Sequence, residues 1–272
     1  MGSRKTDCVA ARCSGQSFSG WGPLPAFALL LVCSLAMCAQ DMELFLLIGQ
    51  SNMAGRGVIE EQDRVPFPRV FTLTKEETWV PAVEPIHFDR PDRLGTGLGR
   101  SFAKVLADAA PTAKIGLIPA AMGGSALDEW KPGGKLYMDA VRRAKVAMKS
   151  GRLRGILWHQ GEADSGKLEL IRTYQERWLA VMKSLRAELG DVPIVVGELG
   201  QFLYTREKND YAMARMLNEQ LALLAVSGER VAFVSSGGLG HKGDVLHFDS
   251  AGLREFGRRY AYAFMGLEAG WK

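Results

Sequence analysis

Ser51, Asp244 and His247 are the residues of this sequence whose types and spacing suit nucleophilic catalysis. A serine hydroxyl is a weak nucleophile until an imidazole takes its proton and a carboxylate orients that imidazole. Asp244 and His247 are three residues apart, so one turn can present both side chains in the same direction. Gly49, two residues before Ser51, permits a sharp turn. Together they predict a triad for acyl transfer, although Ser51 alone would indicate only a polar turn.

Acyl transfer also needs hydrogen-bond donors aimed at the oxyanion that develops on the substrate carbonyl. The candidates are the backbone N–H groups of Ser51 and Gly124 and the side-chain amide of Gln160. Glycine at position 124 lets the backbone approach a substrate closely. Taken singly, Gly123-Gly124 fits a flexible turn equally well, and Gln160 fits an exposed polar residue.

The other histidines offer weaker alternatives for the general base. His241 lies in a glycine-rich loop without a carboxylate at a matching short spacing, and His159 is better placed to line a pocket. His241, Asp244, His247 and Asp249 fit no strong metal-ligand pattern. We therefore predict no metal site and no cofactor.

The elements that must position these residues follow from hydrophobic patterning. Short apolar runs bounded by Gly, Pro or polar turns alternate with amphipathic stretches, which is typical of a parallel sheet covered by helices on both faces. The predicted strands are Glu43–Ile48, Lys114–Pro119, Gly155–Trp158, Pro193–Gly197 and Arg230–Val234. The stretch Val58–Arg93 has five prolines and no clear periodicity. It is predicted to be a surface excursion that walls the site.

Polar or glycine-rich clusters follow four of the five predicted strands. They are residues 49–53, 121–125, 159–164 and 244–247. Ligands of open parallel sheets collect at the carboxyl ends of the strands. The clusters therefore predict a single site on one rim of the sheet.

Four blocks of this sequence resemble the sialate O-acetylesterase-like family, which includes the family 6 carbohydrate esterases of the SGNH (GDSL) hydrolase superfamily. The blocks are LIGQSNMAGRG (47–57), GGSALDEW (123–130), WHQGEAD (158–164) and DVLHF (244–248), and the match spans nearly all of residues 42–266. The resemblance implies a three-layer α/β/α sandwich, flavodoxin-like, with a five-stranded parallel sheet.

The resemblance also assigns roles. It implies that Ser51 is the nucleophile, that Asp244 and His247 are the acid and base, and that Gly124 and Gln160 belong to the oxyanion hole with Ser51. Gln160 stands where the superfamily usually has asparagine. Four further residues from the same blocks are predicted to line the substrate pocket: Gln50, Asn52, His159 and Glu162.

The first 39 residues differ from the rest. A basic stretch leads into an apolar run, Ala26–Ala39, that is short for a membrane span and typical of a signal peptide. We predict cleavage between Met37 and Gln40, leaving 40–272 as an exported esterase domain. An uncut membrane anchor and lipidation of Cys38, in a segment resembling a lipoprotein box, are the alternatives, and membrane contact is expected only with one of these.

Composition and motif spacing exclude several kinds of chemistry and of binding partner. All four cysteines lie before residue 39, so the mature region has neither disulfides nor thiol catalysis. The net charge of +4 falls to +2 without the first 39 residues, which leaves no nucleic-acid footprint. Residues 95–99 lack the full spacing of a phosphate loop.

The predicted function is hydrolysis of O-acetyl esters on an acetylated glycan or sugar, through an acyl-enzyme, by an exported protein that is secreted, periplasmic or lipid-anchored. One alternative is an esterase for lipid or aryl esters. The other is a carbohydrate-binding domain that has lost catalysis, which would predict damage to the triad or the oxyanion positions.

Overall fold

The structure is a computed structural model, and it describes residues 42–206 and 211–270. The predicted signal peptide, residues 1–39, and the candidate lipidation site Cys38 lie outside the described residues. No helix in the two described ranges is both long and apolar enough to cross a membrane.

The centre of the fold is a mostly parallel sheet of seven strands. The strands are β1 (Met42–Gly49), β2 (Val70–Leu73), β3 (Trp79–Pro81), β4 (Ile115–Pro119), β5 (Gly151–His159), β6 (Ile194–Gly197) and β7 (Val231–Val234). Their order across the sheet is β3-β2-β4-β1-β5-β6-β7. Only β3 runs antiparallel to its neighbour, β2. Strand β1 is central, so the loops that follow β1, β4 and β5 adjoin one another at one rim.

The predicted α/β fold is confirmed, but the number of strands is seven and not five. The two extra strands, β2 and β3, lie inside the predicted surface excursion. Each is only four or three residues long, and charged or proline residues surround them. Strand β2 is defined by its parallel pairing with β4, for example between Val70 and Ile115. A pairing between segments so far apart in the chain gives no recognisable pattern in the sequence around β2.

Helices cover both faces of the sheet. The α-helices are α1 (Ser51–Ala54), α2 (Gly99–Ala109), α3 (Lys135–Ala147), α4 (Leu168–Arg172), α5 (Tyr174–Leu189), α6 (Ala214–Ser227) and α7 (Ser250–Glu268). Short 3-10 segments occur at Glu61–Asp63, Pro91–Arg93, Leu127–Trp130, Glu162–Asp164 and Gln201–Thr205. Helices α2 and α7 pack together on one face, and α3, α5 and α6 cover the other.

Side chains of β1 alternate between the two hydrophobic cores. Leu44, Leu46 and Ile48 enter the core beneath α3, α5 and α6, whereas Phe45 and Leu47 enter the core beneath α2 and α7. This alternation follows from the period of two along a strand. The predicted apolar stripes of α5 and α7 are buried in these cores as expected. Full burial of each large apolar side chain contributes about 1.5–3 kcal/mol, so the cores hold the rim loops in place.

Candidate active site

Ser51 lies where the chain leaves β1 and begins the short helix α1. Gly49 adopts a φ of 140°, and a Cβ at that position would collide with the backbone carbonyl of His159. The backbone N–H of Gln50 donates to the same carbonyl, at 2.9 Å. Glycine is therefore required for the close approach of β1 to β5 at the end of the two parallel strands. Ser51 follows two residues later, at the rim, where it lines a surface cavity.

The loop between β7 and α7 brings His247 and Asp244 to Ser51. The Nε2 atom of His247 lies 3.1 Å from the Oγ atom of Ser51, and its Nδ1 atom lies 2.7 Å from Oδ2 of Asp244. Between them, Val245 adopts a φ of 52°, the left-handed region that a β-branched residue rarely occupies. This conformation closes the turn that the three-residue spacing predicted, at a cost of about 1–2 kcal/mol.

Asp244 is held as a carboxylate. Its Oδ1 atom accepts the backbone N–H groups of Leu246 and His247, at 3.0 and 2.8 Å. Burial raises the pKa of this carboxyl, but the hydrogen bonds from the backbone and ring of His247 outweigh burial and lower the pKa below its ordinary value. The acceptor that faces Nδ1 is thus ionised and fixed in orientation.

Asn52 links helix α1, which begins at Ser51, to the loop that carries His247, on both sides of that histidine. Its Nδ2 atom donates to the carbonyl of Leu246, at 3.2 Å, and its Oδ1 atom accepts the N–H of Phe248, also at 3.2 Å. The same Nδ2 donates to Oε1 of Glu162 at 2.5 Å. The side chain next to Ser51 therefore fixes the register of the loop that carries His247.

Three of the four residues predicted to line the substrate pocket lie beneath it instead. Asn52, His159 and Glu162 are buried, and only Gln50 lines the cavity. Burial raises the pKa of Glu162, but His159 and Asn52 outweigh it, so the pKa is lowered and the carboxylate stays charged. His159 Nε2 lies 3.4 Å from that carboxylate. The sequence-based prediction assumed that polar residues of a rim cluster face solvent, whereas these three side chains are buried.

The side-chain amide of Gln160 also lies beneath the cavity. Gln160 is fully buried, and its Nε2 atom donates to Oδ2 of Asp164 at 2.7 Å and to the carbonyl of Ser125 at 3.1 Å. Its Oε1 atom accepts the hydroxyl of Tyr174 at 2.8 Å. Its amide protons are thus used internally, so the structure does not present the predicted oxyanion amide to a substrate.

Two backbone donors remain available at the rim. Neither the N–H of Ser51 nor that of Gly124 donates a hydrogen bond to another described residue. Gly124 has a φ of 80° and lines the cavity. These are two of the three donors that the sequence predicted for an oxyanion.

The alternative base His241 has a structural task in the same loop. Its Nδ1 atom accepts the backbone N–H groups of Gly243 and Val245, at 3.0 and 3.2 Å. Among the residues that the structure describes, no group of three His, Cys, Asp or Glu side chains is arranged to hold a metal ion.

The cavity has a volume of about 550 Å³ and a mostly basic rim. It is lined by Gln50, Ser51, Arg56, Arg90, Asp92, Arg93, Gly123, Gly124, Tyr211, Lys242, Asp244, Leu246 and His247. The sequence did not predict the basic residues individually, although it did predict that the segment 58–93, which supplies Arg90 and Arg93, would wall the site. Nothing in the spacing of Arg56 or Lys242 marks them as rim residues.

Comparisons with known proteins identify the family of the chain. Residues 41–266 match the family model described as carbohydrate esterase, sialic acid-specific acetylesterase. The chain belongs to this carbohydrate esterase family. It is therefore a carboxylic ester hydrolase. The esterase is 29% identical to a probable carbohydrate esterase of Arabidopsis thaliana, and the match covers 82% of the esterase and 90% of the Arabidopsis protein.

Solved structures show the same fold. The esterase matches the crystal structure of that Arabidopsis protein with a TM-score of 0.75 and 28% identity, over 83% of its own chain and 98% of the other. It matches NanS with a TM-score of 0.71 and 17% identity, over 85% and 98%. It matches a carbohydrate acetylesterase from Xanthomonas citri with a TM-score of 0.61 and 20% identity, over 84% and 57%. The last two likenesses support the fold alone.

Proposed function

We propose that the esterase removes O-acetyl groups from carbohydrates through a Ser51-His247-Asp244 triad and an acetyl-enzyme intermediate. The observation that carries this proposal is the continuous pair of hydrogen-bonding distances, 3.1 Å from Ser51 Oγ to His247 Nε2 and 2.7 Å from His247 Nδ1 to Asp244 Oδ2. That geometry matches what proton transfer from serine to histidine requires.

In the first half of the reaction, Ser51 Oγ attacks the acetyl carbonyl carbon while His247 Nε2 takes the hydroxyl proton. Asp244 stabilises the imidazolium that forms. The negative charge on the carbonyl oxygen is stabilised by the backbone N–H groups of Ser51 and Gly124. When the tetrahedral intermediate collapses, the bond to the sugar oxygen breaks and His247 returns the proton to that oxygen.

In the second half, water replaces the sugar. His247 takes a proton from the water as its oxygen attacks the acetyl-serine carbonyl. Collapse of the second intermediate breaks the bond to Ser51 Oγ, which regains the proton from His247, and acetate leaves.

The cavity supports a sugar substrate over the two alternatives. Its rim carries polar and charged side chains, among them Gln50 and Lys242, which suit hydroxyl-rich ligands better than a lipid tail. A binding domain without catalysis would not need Ser51, His247 and Asp244 in hydrogen-bonding order. We also propose export of the protein on the strength of residues 1–39. N-terminal sequencing of protein recovered outside the cytoplasm tests this, and an intact N-terminus would contradict cleavage.

The test of the serine mechanism compares the full-length protein with Ser51→Ala and with Ser236→Ala. Ser236 is a matched control, since its buried hydroxyl donates to the carbonyl of Leu199 and is not on the cavity wall. Acetate release is measured from p-nitrophenyl acetate, acetylated xylan and O-acetylated sialic acid. We expect Ser51→Ala to lose about a thousandfold or more of kcat, and Ser236→Ala to retain turnover.

Mass spectrometry of the quenched enzyme gives a second readout. The wild-type protein should carry one acetyl group on the peptide that contains Ser51. Turnover of Ser51→Ala comparable to wild type would refute the triad. Release from p-nitrophenyl acetate but from neither glycan would favour the aryl-ester alternative.

A further inference from the structure

Gly123 is held on both sides by consecutive residues of the segment that walls the cavity. Its N–H donates to Oδ2 of Asp89 at 2.8 Å. Its carbonyl oxygen accepts from Nη2 and Nε of Arg90, at 3.3 and 3.4 Å. Among the described residues, this carbonyl is the hydrogen-bond acceptor that the structure gives the Arg90 guanidinium. One rim arginine is thus directed at the backbone next to the proposed oxyanion donor.

The carbonyl of Gly123 and the N–H of Gly124 belong to the same peptide unit. The unit is planar and trans, so its C=O and N–H point in opposite directions. Any group that fixes the direction of the Gly123 carbonyl therefore fixes the direction of the Gly124 N–H. A cationic donor on the carbonyl also polarises the peptide, which makes its N–H a stronger donor.

The residue before Arg90 is anchored, so the guanidinium approaches the peptide from a defined place. Asp89 pairs with Arg56 at 2.6 Å, and both side chains are almost fully buried. Burial raises the pKa of Asp89, but Arg56 outweighs it and the pKa is lowered, so the carboxylate is charged. A Cβ on Gly123 would come within 2.5 Å of Arg56 Nη2 and 2.8 Å of Asp89 Oδ2. Glycine at 123 is thus needed for this close contact.

We propose that Arg90 is a positioning residue for ester hydrolysis: through the carbonyl of Gly123 it orients and polarises the peptide whose Gly124 N–H stabilises the oxyanion. This inference rests on the proposed serine mechanism with Gly124 as a donor. It gives the segment 58–93 a part in the chemical step, in addition to forming a wall.

Arg93 provides a matched control for charge. It lines the same cavity, is exposed and pairs with Asp92 at 3.5 Å, but it makes no hydrogen bond to Gly123 in the described structure. Arg90→Ala and Arg93→Ala each remove one positive charge from the rim. A general effect of rim charge would therefore appear in both variants, whereas an effect on the peptide would appear only in Arg90→Ala.

The full-length wild type, both alanine variants and Arg90→Lys are assayed with p-nitrophenyl acetate and an acetylated sugar. Loss of a complete oxyanion donor costs about 100- to 1,000-fold in kcat. Arg90 acts through the donor, so we expect Arg90→Ala to lose about tenfold in kcat on both substrates, with KM within about twofold of wild type. Arg90→Lys, which keeps the charge, should recover part of the loss. Arg93→Ala should keep wild-type kcat, with any effect of the lost rim charge confined to KM for the sugar.

An acyl-mimicking boronic acid, whose adduct with a serine places an oxygen in the oxyanion site, gives a readout besides turnover. Its inhibition constant should rise for Arg90→Ala by the same factor as kcat/KM falls. Thermal unfolding of the variants checks that the fold is kept.

Three results would overturn the proposal. Wild-type kcat in Arg90→Ala would remove the role, and an equal loss in Arg93→Ala would reduce it to rim charge. A rise in KM confined to the sugar would make Arg90 a sugar-binding residue. If Ser51→Ala is inactive while Arg90→Ala keeps wild-type kcat, only this inference fails. If Ser51→Ala keeps turnover, the proposed function fails as well.

Discussion

Replacement of Asn52 by alanine separates the positioning of His247 from the stability of the fold. Asn52 joins Ser51's helix to the carbonyl of Leu246 and the N–H of Phe248, the neighbours of His247 on either side. Alanine removes both bonds, together with the 2.5 Å bond to Glu162. The loop that carries His247 then loses its direct side-chain connection to position 52, next to Ser51.

The expected magnitudes follow from these three bonds. Each bond to a neutral backbone group contributes about 1 kcal/mol, and the bond to the charged Glu162 contributes about 1.5–3 kcal/mol. The free energy of unfolding should therefore fall by about 3.5–5 kcal/mol. A displacement of about 1 Å in a catalytic group costs on the order of a hundredfold in rate. We expect kcat/KM to fall by about that factor in variant protein that remains folded.

Asn218 offers a control of the same residue type and burial. Its side chain joins the N–H and the carbonyl of Leu199, at 2.8 and 3.0 Å, and the hydroxyl of Tyr204, at 2.7 Å, and it does not line the cavity. Asn218→Ala should therefore lose about 2–3 kcal/mol of unfolding free energy but keep kcat/KM near wild type.

Urea unfolding and p-nitrophenyl acetate hydrolysis at a temperature where all three proteins are folded make the comparison. An Asn52→Ala variant that is destabilised like Asn218→Ala but keeps wild-type kcat/KM would show that Asn52 stabilises the fold without positioning the histidine. An Asn218→Ala variant as slow as Asn52→Ala would show instead that general loosening of the fold limits the rate.

Two further predictions concern charged groups. Asp244→Asn should lose about 10³- to 10⁴-fold in kcat on p-nitrophenyl acetate with little change in Tm, since the amide oxygen can still accept the backbone N–H of His247, and wild-type kcat would remove Asp244 from the triad. Burial raises the pKa of Glu84 to about 7 from an ordinary value near 4.5; because the folded state holds this proton more tightly than the unfolded state, the carboxyl destabilises the fold increasingly as pH rises through that range. The unfolding free energies of wild type and Glu84→Gln are therefore compared at each pH, and the variant should gain about 2–3 kcal/mol relative to wild type between pH 5 and pH 8. The difference is used because His87, whose pKa is lowered by burial, changes the stability of both proteins with the opposite sign over part of this range. Parallel pH profiles of the two proteins would contradict a protonated Glu84 at acid pH.

The sheet could be predicted where its strands are nearly continuous apolar runs. Strands β1, β4, β5, β6 and β7 are such runs, and the structure has all five within a few residues of the predicted bounds. Strands β2 and β3 have no such signal: β2 includes the polar Thr72, and β3 is three residues long and mostly exposed. Their existence depends on the pairing of Val70 with Ile115, 45 residues further along the chain, and hydrophobic periodicity does not record a partner at that distance.

The sequence predicted which segments form the site, but not which of their residues line the cavity and which are buried beneath it. Gln50, Ser51 and Asn52 are consecutive, yet the first two line the cavity and the third is buried beneath it. Successive residues that enter a helix point in directions about 100° apart, so one polar cluster supplies both a wall and its support. Which member takes which place depends on segments far away in sequence, such as the loop of Leu246 and Phe248.

Burial of these polar side chains indicates that they position the loops of the site. A buried carboxylate such as Glu162 is costly unless it is paired and hydrogen-bonded, and a core of apolar residues would avoid that cost. Here Glu162 binds the Asn52 amide, whose other bonds bracket His247, and Gln160 binds Asp164 beneath Ser125. The buried members of the blocks thus hold in place the loops that carry the reacting groups, so the cost falls where orientation matters most to the proposed chemistry.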